Sequence, residues 1–318
     1  MALLEIDQLG VRFGRHEAVR GLDVRIDAGE TLAIVGESGC GKSVTSLAVL
    51  RLVPRPGSVR GAIRFAGRDL LALPPRQMRA VRGKDIGMVF QEPMTSLNPV
   101  LTIGRQITET LRLHEGLSRG GAQARAAALL GEVGIATPEQ RLRQYPHQLS
   151  GGMRQRVMIA IALACSPRLL IADEPTTALD VTIQAQILDL LRDLKARAGT
   201  AILLITHDLG VVAETAQRVL VMYAGRMVEE APVAALFAAP LHPYTRGLLG
   251  AMPRLFSSLD ATAPARLAEI PGQVPDATTT IIGCAFAGRC PHVTELCRRT
   301  APAISEPAPG HRLACHHA

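Results

Sequence analysis

Short apolar runs alternate with helical patterns along most of the chain. Residues 31–35, 169–172 and 201–205 are short and almost entirely apolar, which is typical of strands buried on both faces of a sheet. Helical patterns follow two of these runs, at 44–52 and at 183–198. Strands that alternate with helices predict a largely parallel sheet covered on both faces, and therefore an α/β fold.

Three regions depart from this alternation. The residues before 31 carry short strand patterns between glycine turns, which predicts an N-terminal β region. Residues 92–165 are mostly helical in pattern, and we expect an inserted helical subdomain there. Ten of the 21 prolines and four of the six cysteines lie beyond residue 236. We therefore expect residues 236–318 to form a separate, loop-rich extension.

A glycine-rich segment joins the apolar run at 31–35 to the helical pattern after it. Its sequence, Gly36-Glu-Ser-Gly-Cys-Gly-Lys42-Ser43, fits the P-loop pattern G-x-x-x-x-G-K-[ST] at every fixed position. Backbone N–H groups and the positive helix end converge on an anion at such a junction, so the chain is predicted to bind a nucleoside triphosphate. Lys42 would contact the β- and γ-phosphates, and the Ser43 hydroxyl would hold Mg²⁺. The other residues of the predicted phosphate cradle are Gly36, Ser38, Gly39, Cys40 and Gly41.

The apolar run at 169–172 ends in two carboxylates, Asp173 and Glu174. A parallel strand delivers both to the carboxyl edge of the sheet, beside the P-loop, where ligands bind in open α/β sheets. We expect Asp173 to hold Mg²⁺ through water, and Glu174 to act as the general base on the attacking water. An acidic pair at a strand end is common by itself, and the P-loop is what makes this one informative.

The segment Leu149-Ser-Gly-Gly-Met153, called here the signature segment, opens a helical pattern. Ser150 is a good N-cap, and Gly151 and Gly152 leave the first amides of the helix bare, which predicts a second anion site. One P-loop does not need a second phosphate site unless that site serves the nucleotide of another subunit. The alternative is a capped helix start that binds nothing.

Further residues complete a fixed order along the chain. The P-loop is followed by Gln91, the signature segment, the Asp-Glu pair, Ala178-Leu-Asp180 and His207. This order, over residues 1 to about 235, resembles the ATP-binding cassette (ABC) family of transporter ATPases. The resemblance implies two cassettes that close head-to-tail over two ATP molecules, each held between one P-loop and the other chain's signature segment. It also implies a RecA-like nucleotide-binding core of residues 1–91 and 166–235 that includes the N-terminal β region, with 92–165 as the helical subdomain.

The resemblance assigns roles to single residues. Phe13 is similar to the aromatic that stacks on adenine, although a core phenylalanine is the alternative. Gln91 resembles the glutamine that senses Mg²⁺ and the attacking water, and His207 the histidine that contacts the γ-phosphate. Asp180 resembles the residue that acts across the dimer interface. Met153 stands where most of the family has glutamine, and we expect an active site nonetheless because all catalytic positions are filled.

Three segments resemble one branch of the family, the ATPase subunits of oligopeptide and dipeptide importers, which also includes nickel importers. They are residues 91–99, 145–150 and 241–248. The resemblance implies a second, homologous ATPase subunit, two permease subunits and an extracytoplasmic substrate-binding protein. It places this chain peripherally on the cytoplasmic face of the cell membrane, with residues 92–104 against a permease. The alternatives are an importer of nickel or another small solute, a subunit whose ATPase activity a metal cluster regulates, and a soluble non-transport ABC ATPase.

Four late cysteines have the spacing C-x5-C-x6-C-x17-C: Cys284, Cys290, Cys297 and Cys315. Four thiolates can bind Zn²⁺ or a [4Fe–4S] cluster, but zinc sites usually contain closer cysteine pairs. Some peptide-importer ATPases carry an iron–sulfur cluster in this extension, and the spacing resembles theirs. Zinc and unliganded thiols stay open as alternatives.

Charge and hydropathy exclude other classes of function. The net charge is +7, but only three of the 35 basic residues are lysines, the basic residues are scattered among acids, and aromatic residues make up 3%. We therefore expect no nucleic-acid partner. No apolar run is long enough for a membrane span, and the N-terminus lacks the pattern of a secretory signal. A cytosolic chain is not expected to use its cysteines as a disulfide framework.

Overall fold

The computed structural model describes residues 2–176, 181–252, 269–275 and 278–317. Within these ranges two sheets contain twelve strands. The strands are β1 (Ala2–Phe13), β2 (His16–Asp27), β3 (Thr31–Val35), β4 (Gly57–Phe65), β5 (Arg68–Asp69), β6 (Ile86–Val89), β7 (Leu169–Asp173), β8 (Ala201–Ile205), β9 (Arg218–Tyr223), β10 (Arg226–Pro232), β11 (Ser305–Ala308) and β12 (His311–Leu313).

Twelve α-helices lie between the strands in the same described ranges. They are α1 (Lys42–Val49), α2 (Pro75–Val81), α3 (Pro93–Ser96), α4 (Ile103–Glu115), α5 (Arg119–Glu132), α6 (Pro138–Arg141), α7 (Gly151–Leu163), α8 (Val181–Ala198), α9 (Leu209–Thr215), α10 (Val233–Ala238), α11 (Pro243–Gly250) and α12 (Glu295–Arg299). A 3-10 turn, Pro146–Gln148, precedes α7. None of the helices in the described part of the chain is long and apolar enough to cross a membrane.

The larger sheet has the strand order β11-β12-β10-β9-β3-β8-β7-β6. Strands β9, β3, β8, β7 and β6 pair in parallel, and every residue of β3, β7 and β8 is buried. This confirms the α/β fold predicted from the short apolar runs. In the register of the parallel strands, Ile34 and Asp173 both pair with Ile205, and Ala172 pairs with Val89. The residues that follow these strands therefore lie along one edge of the sheet.

The smaller sheet is antiparallel, with the order β2-β1-β4-β5. Its inner face buries large apolar side chains such as Leu4, Leu22 and Phe65, in one cluster with Leu32 and Leu203 of the larger sheet. The two sheets therefore share a core, and the turn between β1 and β2 is held close to the P-loop.

The region between β6 and β7 contains helices α3 to α7, where the sequence pattern predicted them. Helices α4, α5 and α7 pack their apolar faces together, with Ile107, Leu129 and Val157 in one buried cluster. Helix α7 also lies against β6, because Gly87 leaves room for the carbonyl oxygen of Ala162; a Cβ on Gly87 would be only 2.2 Å from that oxygen. This close contact fixes the signature segment relative to the sheet.

The described residues after 236, called here the C-terminal segment, join the larger sheet. Strand β12 pairs antiparallel with β10, matching Glu229 with Leu313, and β11 pairs with β12. Aromatic side chains of the C-terminal segment share a third buried cluster with Tyr223 of β9. We expected a separate extension to begin at residue 236, which lies inside α10. The predicted domain boundaries stay predictions.

Candidate functional site

The P-loop lies flat against the end of the sheet. A Cβ on Gly36 would be 2.2 Å from the carbonyl oxygen of Met222, and a Cβ on Gly41 would be 2.5 Å from that of Ala18. Gly36, Gly39 and Gly41 also have positive φ angles of 151°, 79° and 100°. Glycine adopts such angles without steric cost, so the backbone between β3 and α1 can turn tightly and stay open to a ligand.

Lys42 is buried and folds back over the loop. Its Nζ donates hydrogen bonds to the carbonyl oxygens of Gly36 and Glu37 at 2.7 and 3.1 Å. Cys40 is fully buried, its Sγ lies 3.8 Å from Lys42 Nζ, and burial raises the pKa of its thiol. Cys40 therefore packs beneath the loop, and only its backbone is available to the predicted phosphate cradle.

Two predicted Mg²⁺ ligands meet although they are 130 residues apart in the sequence. The hydroxyl of Ser43, in the first turn of α1, donates to Oδ1 of Asp173 at the end of β7, at 3.0 Å. Burial raises the pKa of Asp173 to about 6, and the Ser43 hydrogen bond acts in the opposite direction. A hydroxyl and a carboxylate oxygen in contact suit Mg²⁺, and a cation would favour the ionised form of Asp173.

The predicted catalytic residues meet at Glu174. Its Oε1 lies 3.4 Å from His207 Nδ1, and its Oε2 accepts a hydrogen bond from Gln91 Nε2 at 3.1 Å. The backbone of Glu174 has a positive φ of 48° and its N–H donates to Ile205 O at 2.8 Å. A positive φ is uncommon for a residue with a side chain, and such strain is concentrated at functional sites.

An open cleft of about 270 Å³ lies above these groups, lined among others by Phe13, Lys42, Ser43, Gln91 and Glu174. The ring of Phe13 is half-buried. It lines the cleft and also packs against the core. The structure thus brings Phe13 to the P-loop, and both of its expected roles are compatible with that position.

The signature segment lies elsewhere on the chain. The Ser150 hydroxyl accepts a hydrogen bond from the N–H of Met153 at 3.3 Å and so caps α7, as expected. Gly151 is exposed, and nothing lies within 4 Å of the position its Cβ would occupy. Ser150, Gly151 and Gly152 do not line the cleft of their own chain. Asp180 falls outside the described residues.

The four late cysteines lie close together. Burial raises the pKa of Cys284, and interactions with Cys297, Cys315 and Cys290 raise it further. The Cys297 sulfur is 3.3 Å from Nε2 of His317. In the ranges that the structure describes, all six cysteines are free, and no group of three or more His, Cys, Asp or Glu residues is arranged to hold a metal ion. The structure therefore gives the predicted cluster no support.

Sequence reasoning missed two residues that contact the P-loop. Tyr244 and Arg289, both in the C-terminal segment, bind Glu37, the second residue of the P-loop. They are 207 and 252 residues away from Glu37, and no spacing in the sequence indicates the contacts.

Fold and site together define a P-loop NTPase, and comparison with known proteins narrows the class. Residues 19–177 match the family described as ABC transporter, and residues 228–297 match the oligopeptide/dipeptide transporter C-terminal region. The chain belongs to the ABC transporter family of ATP-binding cassettes.

Named relatives are similar over nearly the whole chain. The oligopeptide transport ATP-binding protein OppD of Bacillus subtilis is 54% identical, covering 92% of this chain and 83% of the relative. The dipeptide transport ATP-binding protein DppD of Escherichia coli is 48% identical, covering 100% and 97%. Among solved structures, a dimeric ATP-binding cassette in a post-hydrolysis state with ADP and phosphate has a TM-score of 0.65 and 28% identity, covering 72% of this chain and 98% of the other.

Substituting Gly41 tests whether the packing of the P-loop controls nucleotide binding. Gly41→Ala is expected to weaken ATP binding by about tenfold or more, because the new Cβ would displace the loop from Ala18 and misalign its N–H groups. Isothermal titration with ATP measures the effect.

Gly67→Ala is the matched control, since Gly67 has a similar φ of 78° and nothing within 4 Å of its Cβ position. It should cost about 1 to 2 kcal/mol of stability and leave ATP affinity unchanged. Equal ATP affinities in the two variants would show that the contact with Ala18 does not govern the site.

Proposed function

We propose that this chain is the ATP-hydrolysing subunit that powers peptide import through an ABC transporter. The convergence of Gln91, Glu174 and His207 beside the P-loop supports hydrolysis. The match of residues 228–297 to the oligopeptide/dipeptide transporter C-terminal region, and the named relatives, support peptide as the cargo.

Each group in the cleft has a role in this proposal. The Lys42 ammonium leaves the carbonyl oxygens of Gly36 and Glu37 for the β- and γ-phosphates, and the loop N–H groups bind the phosphate oxygens. The Phe13 ring stacks on adenine at the rim. Together these groups hold the γ-phosphate at the sheet edge.

Ser43, Asp173 and Gln91 are the residues that would hold Mg²⁺. When bound, the ion neutralises charge that develops on the phosphate oxygens. The Ser43 hydroxyl lies 3.0 Å from Oδ1 of Asp173, and this proximity supports placing both oxygens at one ion. Asp173 is buried, so its carboxylate is well placed to interact strongly with a cation.

Glu174 is the proposed general base. Its carboxylate takes a proton from the attacking water. Gln91 Nε2 and His207 Nδ1 contact the two oxygens of this carboxylate and hold it in position. The strained backbone at Glu174 and its hydrogen bond to Ile205 fix where the carboxylate lies. His207 is exposed in the single chain, and we propose that it reaches the γ-phosphate.

A second, homologous ATPase chain completes each site in this proposal. The capped helix start at Ser150, Gly151 and Gly152 lies away from its own cleft and is free to bind the nucleotide of a partner. Asp180 is proposed to act across the same interface. A dimeric arrangement occurs in the solved cassette bound to ADP and phosphate.

Two permease subunits and an extracytoplasmic substrate-binding protein are the remaining proposed partners, with this chain attached to the cytoplasmic face of the membrane through the permeases. Residues 92–104 are the proposed permease contact. Val100, in this segment, is 76% exposed, and in the proposed complex a permease surface would cover it.

The C-terminal segment is proposed to carry a [4Fe–4S] cluster on Cys284, Cys290, Cys297 and Cys315. Burial raises the pKa values of Cys284 and Cys290, and the nearby thiols of Cys297 and Cys315 raise both further, which indicates that the four sulfurs are near one another. In such a cluster each thiolate would bind a different iron, so the four sulfurs would not need to converge on one point as the ligands of a single zinc ion do. Among the described residues no group of three or more His, Cys, Asp or Glu residues is arranged to hold a metal ion, so this proposal rests on the spacing and proximity of the four cysteines.

Replacing the proposed base tests the hydrolytic assignment. Glu174→Gln is expected to keep ATP affinity within about threefold and to lower kcat by about 10²- to 10⁴-fold, because the amide keeps the size of the side chain and one acceptor oxygen but cannot take a proton. Phosphate release and ATP titration provide the two numbers. ATP should also trap this variant as a dimer on size-exclusion chromatography.

Glu139→Gln, at an exposed residue of α6, is the control and should keep wild-type turnover. Turnover of Glu174→Gln within a few-fold of wild type would remove Glu174 as the base.

Metal analysis after anaerobic purification tests the cluster. A [4Fe–4S] cluster would give about four irons and four sulfides per chain, together with a broad absorption band. Cys297→Ser should lose most of the iron. Cys165→Ser should keep it, because Cys165 follows α7 and is far from the four late cysteines in the sequence. One zinc per chain would identify a zinc site instead, and metal-free protein with four titratable thiols would contradict any metal role.

A further inference from the structure

The P-loop is bound on its outer side by the C-terminal segment. Glu37 does not line the nucleotide cleft; its side chain is 27% exposed and faces Arg289. Arg289 Nη1 donates to Glu37 Oε2 at 2.8 Å, and Nη2 donates to Glu37 Oε1 at 3.1 Å. This is a two-pronged guanidinium–carboxylate contact, the strongest geometry available to such a pair.

Arg289 is itself held rigidly. Its remaining N–H groups donate to the carbonyl oxygens of Pro271 at 2.9 Å and Ile270 at 3.1 Å, and to the Tyr223 hydroxyl at 3.4 Å. All five guanidinium donors therefore have acceptors. The side chain is 7% exposed, and the guanidinium carbon lies 5.8 Å from the centre of the Tyr223 ring. An arginine fixed in this way defines one position for the carboxylate it binds.

Tyr244 adds a second contact, to the backbone of the same residue. Its hydroxyl accepts a hydrogen bond from Glu37 N–H at 2.9 Å, and its ring is fully buried. Burial raises the pKa of Tyr244, so the hydroxyl stays neutral. Its ring packs edge-on against Tyr223 at 4.7 Å between centroids, which joins the two contacts into one cluster.

A buried network fixes the start of α11, which carries Tyr244. The carboxylate of Glu229, fully buried in β10, accepts hydrogen bonds from Leu241 N–H at 2.8 Å and His242 N–H at 3.0 Å. His311 Nε2 lies 2.8 Å from the same carboxylate, and His242 Nδ1 accepts from Tyr244 N–H at 3.1 Å. The C-terminal segment therefore holds the start of α11 in a fixed position, and with it the Tyr244 hydroxyl that contacts the P-loop.

Glu37 links these contacts to the phosphate-binding lysine. Its carboxylate binds Arg289, its N–H binds Tyr244, and its carbonyl oxygen accepts a hydrogen bond from Lys42 Nζ. A shift of Glu37 therefore moves an acceptor of Lys42 and the backbone next to Gly36. The position of the phosphate cradle depends on residues more than two hundred positions away.

We propose that Arg289 and Tyr244 are positioning residues for ATP binding: the C-terminal segment completes the nucleotide site by fixing Glu37 of the P-loop. This inference rests on the proposed function in one respect, that ATP binds at the P-loop. The nucleotide is the ligand whose affinity these contacts set. Arg289 and Tyr244 contact the P-loop at Glu37 and do not line the nucleotide cleft.

The test measures ATP affinity and turnover in charge-removing variants. Arg289→Gln and Glu37→Gln are each expected to raise the Kd for ATP about tenfold, because each loses a two-pronged charged contact that holds the loop. The double variant should be no weaker than either single one, since both changes remove the same interaction. The value of kcat at saturating ATP should stay within about threefold, because the catalytic groups at Glu174 are untouched.

Arg312→Gln is the matched control. Arg312 lies in the same segment and pairs with Glu230 at 2.7 Å, but it does not contact the P-loop. This variant is expected to bind ATP as the wild type does. Arg289→Lys keeps the charge but loses the pair of parallel hydrogen bonds to Glu37, so its Kd for ATP should fall between those of the wild type and Arg289→Gln. Tyr244→Phe should weaken ATP binding in the same direction, since it leaves the Glu37 N–H without its acceptor.

The outcomes separate this inference from the proposed function. Lys42→Ala should abolish measurable ATP binding; if it does not, the P-loop assignment itself fails. If Lys42→Ala abolishes binding while Arg289→Gln and Tyr244→Phe only lower the melting temperature and leave the Kd unchanged, the contacts are structural and the inference is overturned. If Arg289→Gln does not fold, Arg289→Lys and Glu37→Gln decide between the two results.

Discussion

The site depends on one constraint: glycines of the P-loop pack directly against the backbone of neighbouring strands. Gly36 and Gly41 lie so close to the carbonyl oxygens of Met222 and Ala18 that neither can carry a side chain. The loop is consequently pressed onto the end of the sheet with its N–H groups open to the cleft. A larger residue at either position would lift the loop away from the proposed phosphate site, which Lys42 and Ser43 also line.

The sheet order turns distant sequence segments into one site. Because β3, β8, β7 and β6 are parallel neighbours in register, their carboxyl ends are aligned. The P-loop, His207, Asp173-Glu174 and Gln91 each follow one of these ends. The hydrogen bond between Gln91 and Glu174, 83 residues apart, is a direct result of that order. It also places the start of the helical region next to the proposed base.

Residues with strong local patterns could be predicted from the sequence. Strands β3, β7 and β8 were predicted from short apolar runs because parallel strands buried on both faces have no polar side. The meeting of Ser43 with Asp173 followed from the rule that ligands bind at the carboxyl ends of such strands.

The C-terminal segment could not be predicted in this way. Strand β12 has three residues, and all four residues of β11 are exposed, so neither has a readable apolar alternation. The pairing of β12 with β10 is set by contacts between residues far apart in the sequence, such as His311 and Glu229, which are 82 positions apart. The binding of Glu37 by Arg289 depends on that pairing and on the aromatic cluster around Tyr223. The spacing of the four late cysteines predicted a shared site, and the four lie near one another. The same spacing is compatible with a cluster, with zinc and with free thiols.

Transport in a reconstituted system tests the central claim most directly. The chain would be combined in proteoliposomes with the proposed partner ATPase and permeases. The proposed binding protein and a labelled pool of short peptides would be supplied on the side opposite the ATPases. The account predicts peptide uptake that requires hydrolysable ATP and Mg²⁺ and that stops when ATP is replaced by a non-hydrolysable analogue. ATP hydrolysis by the assembled complex with no ATP-dependent peptide uptake would contradict it.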